Sequence, residues 1–167
     1  MKPKPLTPKE REKMFGKFTY VKKTDGDGGI RITDDFVHEN IVTVELPTIA
    51  YILGGRTVRC HRLIDRQLCY FFEAVDKTGL TPKILTWNGC YVPRLMRGSD
   101  TKLSNHSWGT AFDINAAWNP LGRTPAADGH KGSVREIVDL AESCGFFWGG
   151  NFESRPDGMH FEACKIL

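Results

Sequence analysis

The amino-acid sequence predicts an α+β fold, in which a small antiparallel sheet is flanked by helices. Apolar residues recur at helical spacing over about 56–77, whereas short runs around Asp113 and His160 alternate between apolar and polar residues, as strands do. A chain of 167 residues with 40% hydrophobic and 26% charged side chains is ordinary for one globular domain. We therefore predict a single domain over residues 1–167.

Local signals define the first elements. A helix is expected over residues 7–15, because Thr7 is a suitable N-cap and Pro8 fits the first helical turn. Residues 41–46 alternate as a strand does, and Pro47 ends the run.

The core helix is predicted over about 56–77, and Gly79 ends it. Its apolar face comprises Leu63, Ile64, Leu68, Phe71, Phe72 and Val75. Residues 82–87 are expected to form a strand that leads into an arginine-containing segment.

The density of Pro, Gly, Asn and Asp over 116–132 predicts a long loop, which could border a ligand groove. A helix is expected to follow over 133–144, with Ser133 and Glu136 as a capping box and Gly145 as the stop. The aromatic residues Phe146, Phe147, Trp148 and Phe152 come next. Core packing is the commoner use of such residues, and a groove wall is the alternative.

Two separated segments hold side chains that commonly bind metal ions. They contribute His106, Asp113 and His160 as possible ligands and Asp157 as a spare carboxylate. Three protein ligands with an open fourth position are typical of a catalytic zinc site. Taken singly, each histidine is more often an ordinary core or surface residue, and Asp157 an ordinary turn residue before a glycine.

The pattern around Asp113 favours the metal interpretation. Phe112 and Ile114 are expected to point into a core, so Asp113 lies on the opposite face of its strand. Gly109 can adopt a tight turn that returns His106 to the side of this carboxylate. An aspartate in an apolar strand needs a compensating charge, which a divalent cation supplies.

The last histidine lies in a second alternating run. This run is expected to place His160 and Glu162 on one face and to bury Met159 and Phe161. Two strands could therefore meet at one ion.

Three short motifs stand out: Ser-x-His-x-x-Gly-x-Ala-x-Asp over 104–113, Trp-Gly-Gly over 148–150 and Asp-x-Met-His-Phe-Glu over 157–162. Together they resemble a family of zinc peptidases, which includes VanY-type D-alanyl-D-alanine carboxypeptidases and phage L-alanyl-D-glutamate endolysins. The resemblance implies a hedgehog-like α+β fold whose sheet carries a zinc site. It also implies that the substrate is the peptide part of bacterial peptidoglycan.

The same resemblance implies roles for individual residues. His106, Asp113 and His160 would bind Zn²⁺, and Asp157 would act as the general acid and base. The family has an arginine before the first histidine that contacts substrate, and both Arg94 and Arg97 fit that place.

Two further polar residues are candidates for hydrogen bonds to substrate or to the histidine ligands. Ser104 and Glu162 lie within the matching motifs, and metal-bound imidazoles normally donate their other N–H to an oxygen. An ordinary surface role fits both residues equally well.

The resemblance leaves three activities open. We favour an endolysin-like L-alanyl-D-glutamate endopeptidase, and a D-alanyl-D-alanine carboxypeptidase is the alternative. A non-catalytic, zinc-containing module that binds the cell wall is a more distant one, since the hedgehog signalling domain resembles this fold. The presence of Asp157 favours an enzyme over such a module.

Charge and hydropathy suggest where the chain acts. The N-terminus lacks an apolar segment that could serve as a secretory signal, and no run is long enough to span a membrane. We expect synthesis in the cytoplasm and action on the cell wall after release or delivery, as a monomer. Residues 1–23 hold eight Lys and Arg against two Glu, which predicts a basic, partly mobile arm. No motif supports nucleic-acid binding.

The remaining metal-like patterns are weak. The five cysteines have no Cys-x-x-Cys spacing, which indicates free thiols rather than a disulfide framework or a cysteine zinc site. The run Asp25-Gly26-Asp27-Gly28 resembles a calcium loop, but Phe36 stands where that loop requires a glutamate. We interpret it as a turn.

Overall fold

A three-stranded antiparallel sheet in the second half of the chain organises the fold. It appears in a computed structural model that describes residues 3–24 and 26–167. The helices are α1 (Pro8–Phe15), α2 (Phe36–Asn40), α3 (Ala50–Leu53), α4 (Asp65–Lys77) and α5 (Arg135–Ser143). The strands are β1 (Tyr20–Lys22), β2 (Ile30–Ile32), β3 (Ile41–Glu45), β4 (Thr57–His61), β5 (Ala111–Asp113), β6 (Phe146–Trp148) and β7 (His160–Ala163). Short 3₁₀ helices cover Pro47–Ile49, Thr81–Lys83, Asn105–Trp108, Ala116–Trp118 and Gly149–Asn151.

The principal sheet has the order β5-β7-β6, so the last strand of the chain lies in the middle. Its register pairs Asp113 with His160 and Phe112 with Phe161. Two antiparallel hairpins, β1-β2 and β3-β4, complete the strands. This mixture of small antiparallel sheets and helices confirms the predicted α+β class.

The core lies between α4 and the principal sheet. Phe71 of α4 contacts Phe112 at a ring-centroid distance of 5.5 Å, and Phe112 stacks on Phe161 at 5.2 Å. Because these two sheet phenylalanines are fully buried on one face, Asp113 and His160 are directed to the other. Packing of the aromatic face thus fixes the direction of both polar side chains.

The predicted helix over 56–77 was wrong in its first part. The helix begins at Asp65, and Thr57–His61 is instead strand β4, paired with β3. Val58 and Cys60 are buried, whereas Thr57 and Arg59 are exposed, which is a two-residue period. The apolar residues of this loop and strand also fit helical spacing, because a short apolar run does not distinguish a helix from a strand.

The predicted strand over 82–87 was also wrong. Thr81–Lys83 is a 3₁₀ helix, and beyond it only an isolated bridge pairs Trp87 with Ile114. The side-chain oxygen of Asn115 accepts the N–H groups of Leu85 and Thr86 at 2.7 and 3.1 Å. These are donors that a neighbouring strand would otherwise use.

The capping box predicted for the last helix was wrong as well. Val134 is the N-cap of α5, and the Ser133 hydroxyl accepts the N–H of Arg135 at 3.3 Å. Glu136 does not reach back, because its carboxylate pairs with Lys83 at 2.9 Å. The helix itself and its end before Gly145 are confirmed.

Helix α1 confirms the prediction for residues 7–15. The Thr7 side chain and Glu10 form a capping box, and Pro8 occupies the first turn. Of the predicted basic arm, residues 1 and 2 lie outside the described residues, as does Asp25 of the predicted turn. No helix within 3–24 or 26–167 has the length and apolar character that a membrane crossing requires.

His61, at the end of β4, connects the core to α1 and predicts a pH-dependent stability. Its side chain is fully buried; Nε2 donates to the Phe15 carbonyl at 3.1 Å, and Nδ1 accepts the Leu63 N–H at 3.2 Å. Only the neutral ring can make both bonds. Burial accordingly lowers the pKa of His61 from 6.5 to about 4.

The pKa of His61 is lower in the folded state than in the unfolded state. Its contribution to the free energy of unfolding is therefore fully present above pH 6.5 and is lost as the pH falls towards 4. This pKa shift predicts that the free energy of unfolding falls by about 2 kcal/mol between pH 7 and pH 5. Urea unfolding of the wild type and of His61→Gln at both pH values measures it. Equal pH dependence of the two proteins would contradict the assignment.

Candidate metal centre

A tight turn brings His106 to the sheet. His106 lies in the 3₁₀ helix that ends at Gly109, where the backbone has a φ of 67°. A Cβ at Gly109 would lie only 3.0 Å from the backbone nitrogen of His61, so both conformation and space favour glycine. The chain then enters β5, and Asp113 at its end lies beside His106.

His106, Asp113 and His160 meet at one point, as the sequence predicted. His106 Nε2 lies 3.1 Å from Asp113 Oδ1, and His160 Nδ1 lies 3.0 Å from the same oxygen. One potential ligand atom from each residue lies within 4.8 Å of the other two, and all three residues are buried. The group could hold a metal ion.

The second nitrogen of each imidazole is held by an oxygen. His106 Nδ1 donates to the Cys90 carbonyl at 2.8 Å, and His160 Nε2 lies 3.1 Å from Glu162 Oε2. An imidazole that donates from one nitrogen can offer the lone pair of the other to a metal ion, and here the other nitrogen of each ring lies beside the same Asp113 oxygen. Such outer hydrogen bonds are typical of histidine ligands, so the donor set fits a divalent cation.

The electrostatics of the group favour a bound cation. Burial alone would raise the pKa of Asp113, but His106 and His160 lower it below its ordinary value. Burial would lower the pKa of His160, yet Asp113 and Glu162 raise it to about 10. Two buried carboxylates thus attract a proton strongly to this imidazole. A metal ion would satisfy the same demand.

Asp157 is placed beside the group by a close backbone contact. Its N–H donates to the Gly149 carbonyl at 2.9 Å, and its own carbonyl accepts the His160 N–H at 3.1 Å. A Cβ on Gly149 would lie 2.7 Å from the Asp157 carbonyl oxygen, which explains the first glycine of the Trp-Gly-Gly motif.

The Asp157 carboxylate is available for chemistry. Its Oδ1 is buried and has no hydrogen-bond partner among the described residues. Burial raises the pKa of Asp157, an effect that His160 partly offsets. Asp157, His106, Asp113 and His160 all line one cavity of about 500 Å³.

Both candidate arginines line this cavity, but their surroundings differ. Arg94 is half-buried, and its backbone is fixed by Ser107, whose hydroxyl accepts the Arg94 N–H at 2.9 Å and donates to its carbonyl at 2.8 Å. Burial lowers the pKa of Arg94, and attraction by Asp113 counteracts that shift. Arg97 is exposed, and its carbonyl accepts a hydrogen bond from Arg155 at 2.9 Å.

Ser104 and Glu162 also line the cavity and are buried. The Ser104 hydroxyl accepts the His106 N–H at 3.4 Å, so it caps the 3₁₀ helix that carries the ligand. Glu162 Oε2 is close to His160 and also accepts a hydrogen bond from the Asn105 side chain. Both residues position the histidines.

Several cavity residues were not predicted from the sequence. Asn105 was missed although its neighbour His106 was recognised. Pro5, Leu6 and Arg11 come from the N-terminal segment, whose contact with the site no local pattern reveals. Phe152 lines the cavity, as the groove-wall alternative proposed, whereas Phe146 packs in the core.

Comparison with known families supports a peptidase. Residues 97–163 match the model of a family described as D-alanyl-D-alanine carboxypeptidase. The match supports that peptidase family. It covers less than half of the chain but includes the three grouped residues and Asp157.

The peptidase family implies an enzyme that acts on a peptidoglycan peptide. Arg94 and the whole N-terminal segment lie outside the matched residues, and Arg97 is the first residue within them. No curated protein matches the chain.

Proposed function

We propose that this protein is a zinc-dependent peptidase that hydrolyses the stem peptides of peptidoglycan. Of the candidate bonds, we favour the L-alanyl-D-glutamate bond. The arrangement of His106, Asp113 and His160 carries the proposal. Three possible ligand atoms lie together, and the second nitrogen of each imidazole is held by an oxygen. Asp157 lines the same cavity, and its Oδ1 has no hydrogen-bond partner in residues 3–24 and 26–167. The family match to a peptidase supports it.

His106 Nε2, Asp113 Oδ1 and His160 Nδ1 would hold the ion. When bound, Zn²⁺ supplies a Lewis acid and lowers the pKa of a bound water from about 15.7 towards about 7. Cys90 and Glu162 keep the two imidazoles in the required orientation and tautomer.

Asp157 would move the proton. A general base needs a free acceptor beside the attacking water. Asp157 lines the cavity, and its Oδ1 accepts no hydrogen bond within the part of the chain that the structure describes. The same carboxyl group would then deliver the proton to the leaving amine. We assign charge stabilisation of the carbonyl oxygen to Arg94 rather than Arg97. Arg94 is half-buried, its backbone is fixed by Ser107, and its guanidinium also donates to the Leu95 carbonyl, so it is the better preorganised donor.

Two bonds of the stem peptide are candidates for the bond that is cleaved. A cavity of about 500 Å³ can accommodate several residues, which supports an endopeptidase. The description of the matched family supports the alternative, a D-alanyl-D-alanine carboxypeptidase. Delivery of the enzyme to the wall after synthesis in the cytoplasm stays a prediction.

Product analysis tests the proposal and separates the two bonds. Purified sacculi are incubated with the zinc-loaded protein, and the soluble products are identified by mass spectrometry. New L-alanine C-termini together with new D-glutamate N-termini are expected. Released D-alanine would identify the carboxypeptidase instead, and intact stem peptides would refute a peptidase of either kind.

A further inference from the structure

The N-terminal segment forms part of the wall of the cavity. Helix α1 is fixed to the ligand-bearing region at its C-terminal end, where the Trp108 indole N–H donates to the Gly16 carbonyl at 2.8 Å. His61 holds the Phe15 carbonyl, and Phe15 itself is buried in the core. The side chain of Arg11, four residues before Phe15, therefore has a defined place beside the cavity.

The guanidinium of Arg11 is held but not neutralised. It lies over the Trp108 ring at 5.4 Å from the centroid, and Nη2 donates to the Leu6 carbonyl at 3.3 Å. Among the described residues, none forms an ion pair with it. A half-buried arginine with most of its five N–H donors uncommitted is suited to bind a carboxylate in a forked geometry.

The acidic residue of the metal centre that attracts Arg11 already has other partners. Glu162 attracts Arg11, but its Oε2 is close to His160 and accepts the Asn105 amide. Arg11 and Glu162 thus line the same cavity as the candidate ligands, and the charge of Glu162 acts on Arg11. A peptide bound in this cavity could place an anionic group beside Arg11.

We propose that Arg11 binds a carboxylate of the substrate and so determines specificity from outside the segment that matches the peptidase family. The inference rests on the proposed function. Both candidate bonds share the required chemistry. In D-alanyl-D-alanine the leaving residue carries a free α-carboxylate, and so does D-glutamate when the peptide continues through its γ-carboxyl group.

Matched peptides that differ only in this carboxylate test the proposal. One pair is N-acetyl-L-lysyl-D-alanyl-D-alanine and its C-terminal amide. The other pair is L-alanyl-γ-D-glutamyl-L-lysine with a free or amidated α-carboxyl group. Arg11→Gln should lower kcat/KM for the acid of the cleaved pair by about tenfold to a hundredfold, mainly through KM. The kcat/KM for the amide should change less than about twofold, because the amide lacks the carboxylate that Arg11 binds.

Two control variants isolate the role of the guanidinium. Lys13→Gln removes a charge from an exposed position on the same helix and should leave both kcat/KM values unchanged. Arg11→Lys keeps the charge and should restore part of the preference for the acid. An equal loss of activity on acid and amide in Arg11→Gln would overturn the proposal, because it would indicate that Arg11 only positions Glu162.

Binding measurements separate this inference from the proposed function. If the wild type cleaves none of the four peptides, the proposed function fails, and calorimetric titration with the same peptides still tests Arg11. Tighter binding of an acid than of its amide by the wild type, lost in Arg11→Gln, supports the proposal. Equal affinities of acid and amide for the wild type refute it.

Discussion

His106→Ala is expected to leave the protein without its metal ion and without measurable peptidase activity. The substitution removes Nε2, one of only three ligand atoms in the group. Asp113 and His160 alone would hold Zn²⁺ far more weakly than three converging ligands do. Elemental analysis of protein purified with excess zinc should give about one ion per wild-type chain and almost none in the variant.

Thermal unfolding provides an independent measurement of the same effect. An ion at 100 times its Kd stabilises the folded state by about 2.7 kcal/mol, which raises Tm by roughly 5–10 °C in a chain of this size. A strong chelator should therefore lower the Tm of the wild type and leave that of His106→Ala unchanged. His38→Ala, at an exposed histidine, is the matched control and should behave like the wild type. Retention of one zinc ion per chain in His106→Ala would contradict the assignment.

The directions of the candidate metal-binding side chains were predictable, because local patterns determine them. Strand alternation placed Phe112 in the core and Asp113 opposite it, and one glycine allowed the turn that returns His106. The register that pairs Asp113 with His160 could not be derived in this way. It arises from the packing of the sheet against α4. The alternating patterns indicated only that two strands could meet at one ion, and the resemblance to known motifs supported that expectation.

Two of the errors, the strand over 82–87 and the capping box of α5, have a common physical origin in contacts between residues that are distant in sequence. Asn115 takes the donors that a strand over 82–87 would have used, and Lys83 takes the carboxylate that would have capped α5. Such contacts depend on the tertiary structure, so propensity and periodicity do not reveal them. Arg11 was missed for the same reason, since it contacts Trp108, a residue far from it in the sequence.

Asp157→Asn is expected to lower kcat by about a hundredfold to ten-thousandfold, the usual range for loss of a general acid or base. The two side chains have nearly the same shape, but the amide cannot accept and return a proton. Asp157→Ala should lose a similar amount. Steady-state kinetics on the peptide that the wild type cleaves measures both variants.

Metal content and stability separate this catalytic role from a structural one. The hydrogen bonds that Asp157 makes to Gly149 and His160 use its backbone, so both variants should retain them. Its Oδ1 has no partner among the described residues, so no hydrogen bond of that oxygen is lost with the side chain. We therefore expect about one zinc ion per chain and a Tm within a few degrees of the wild type, whereas His106→Ala loses the ion. Full turnover in Asp157→Ala would refute the proton-transfer role, because the water would then have another base.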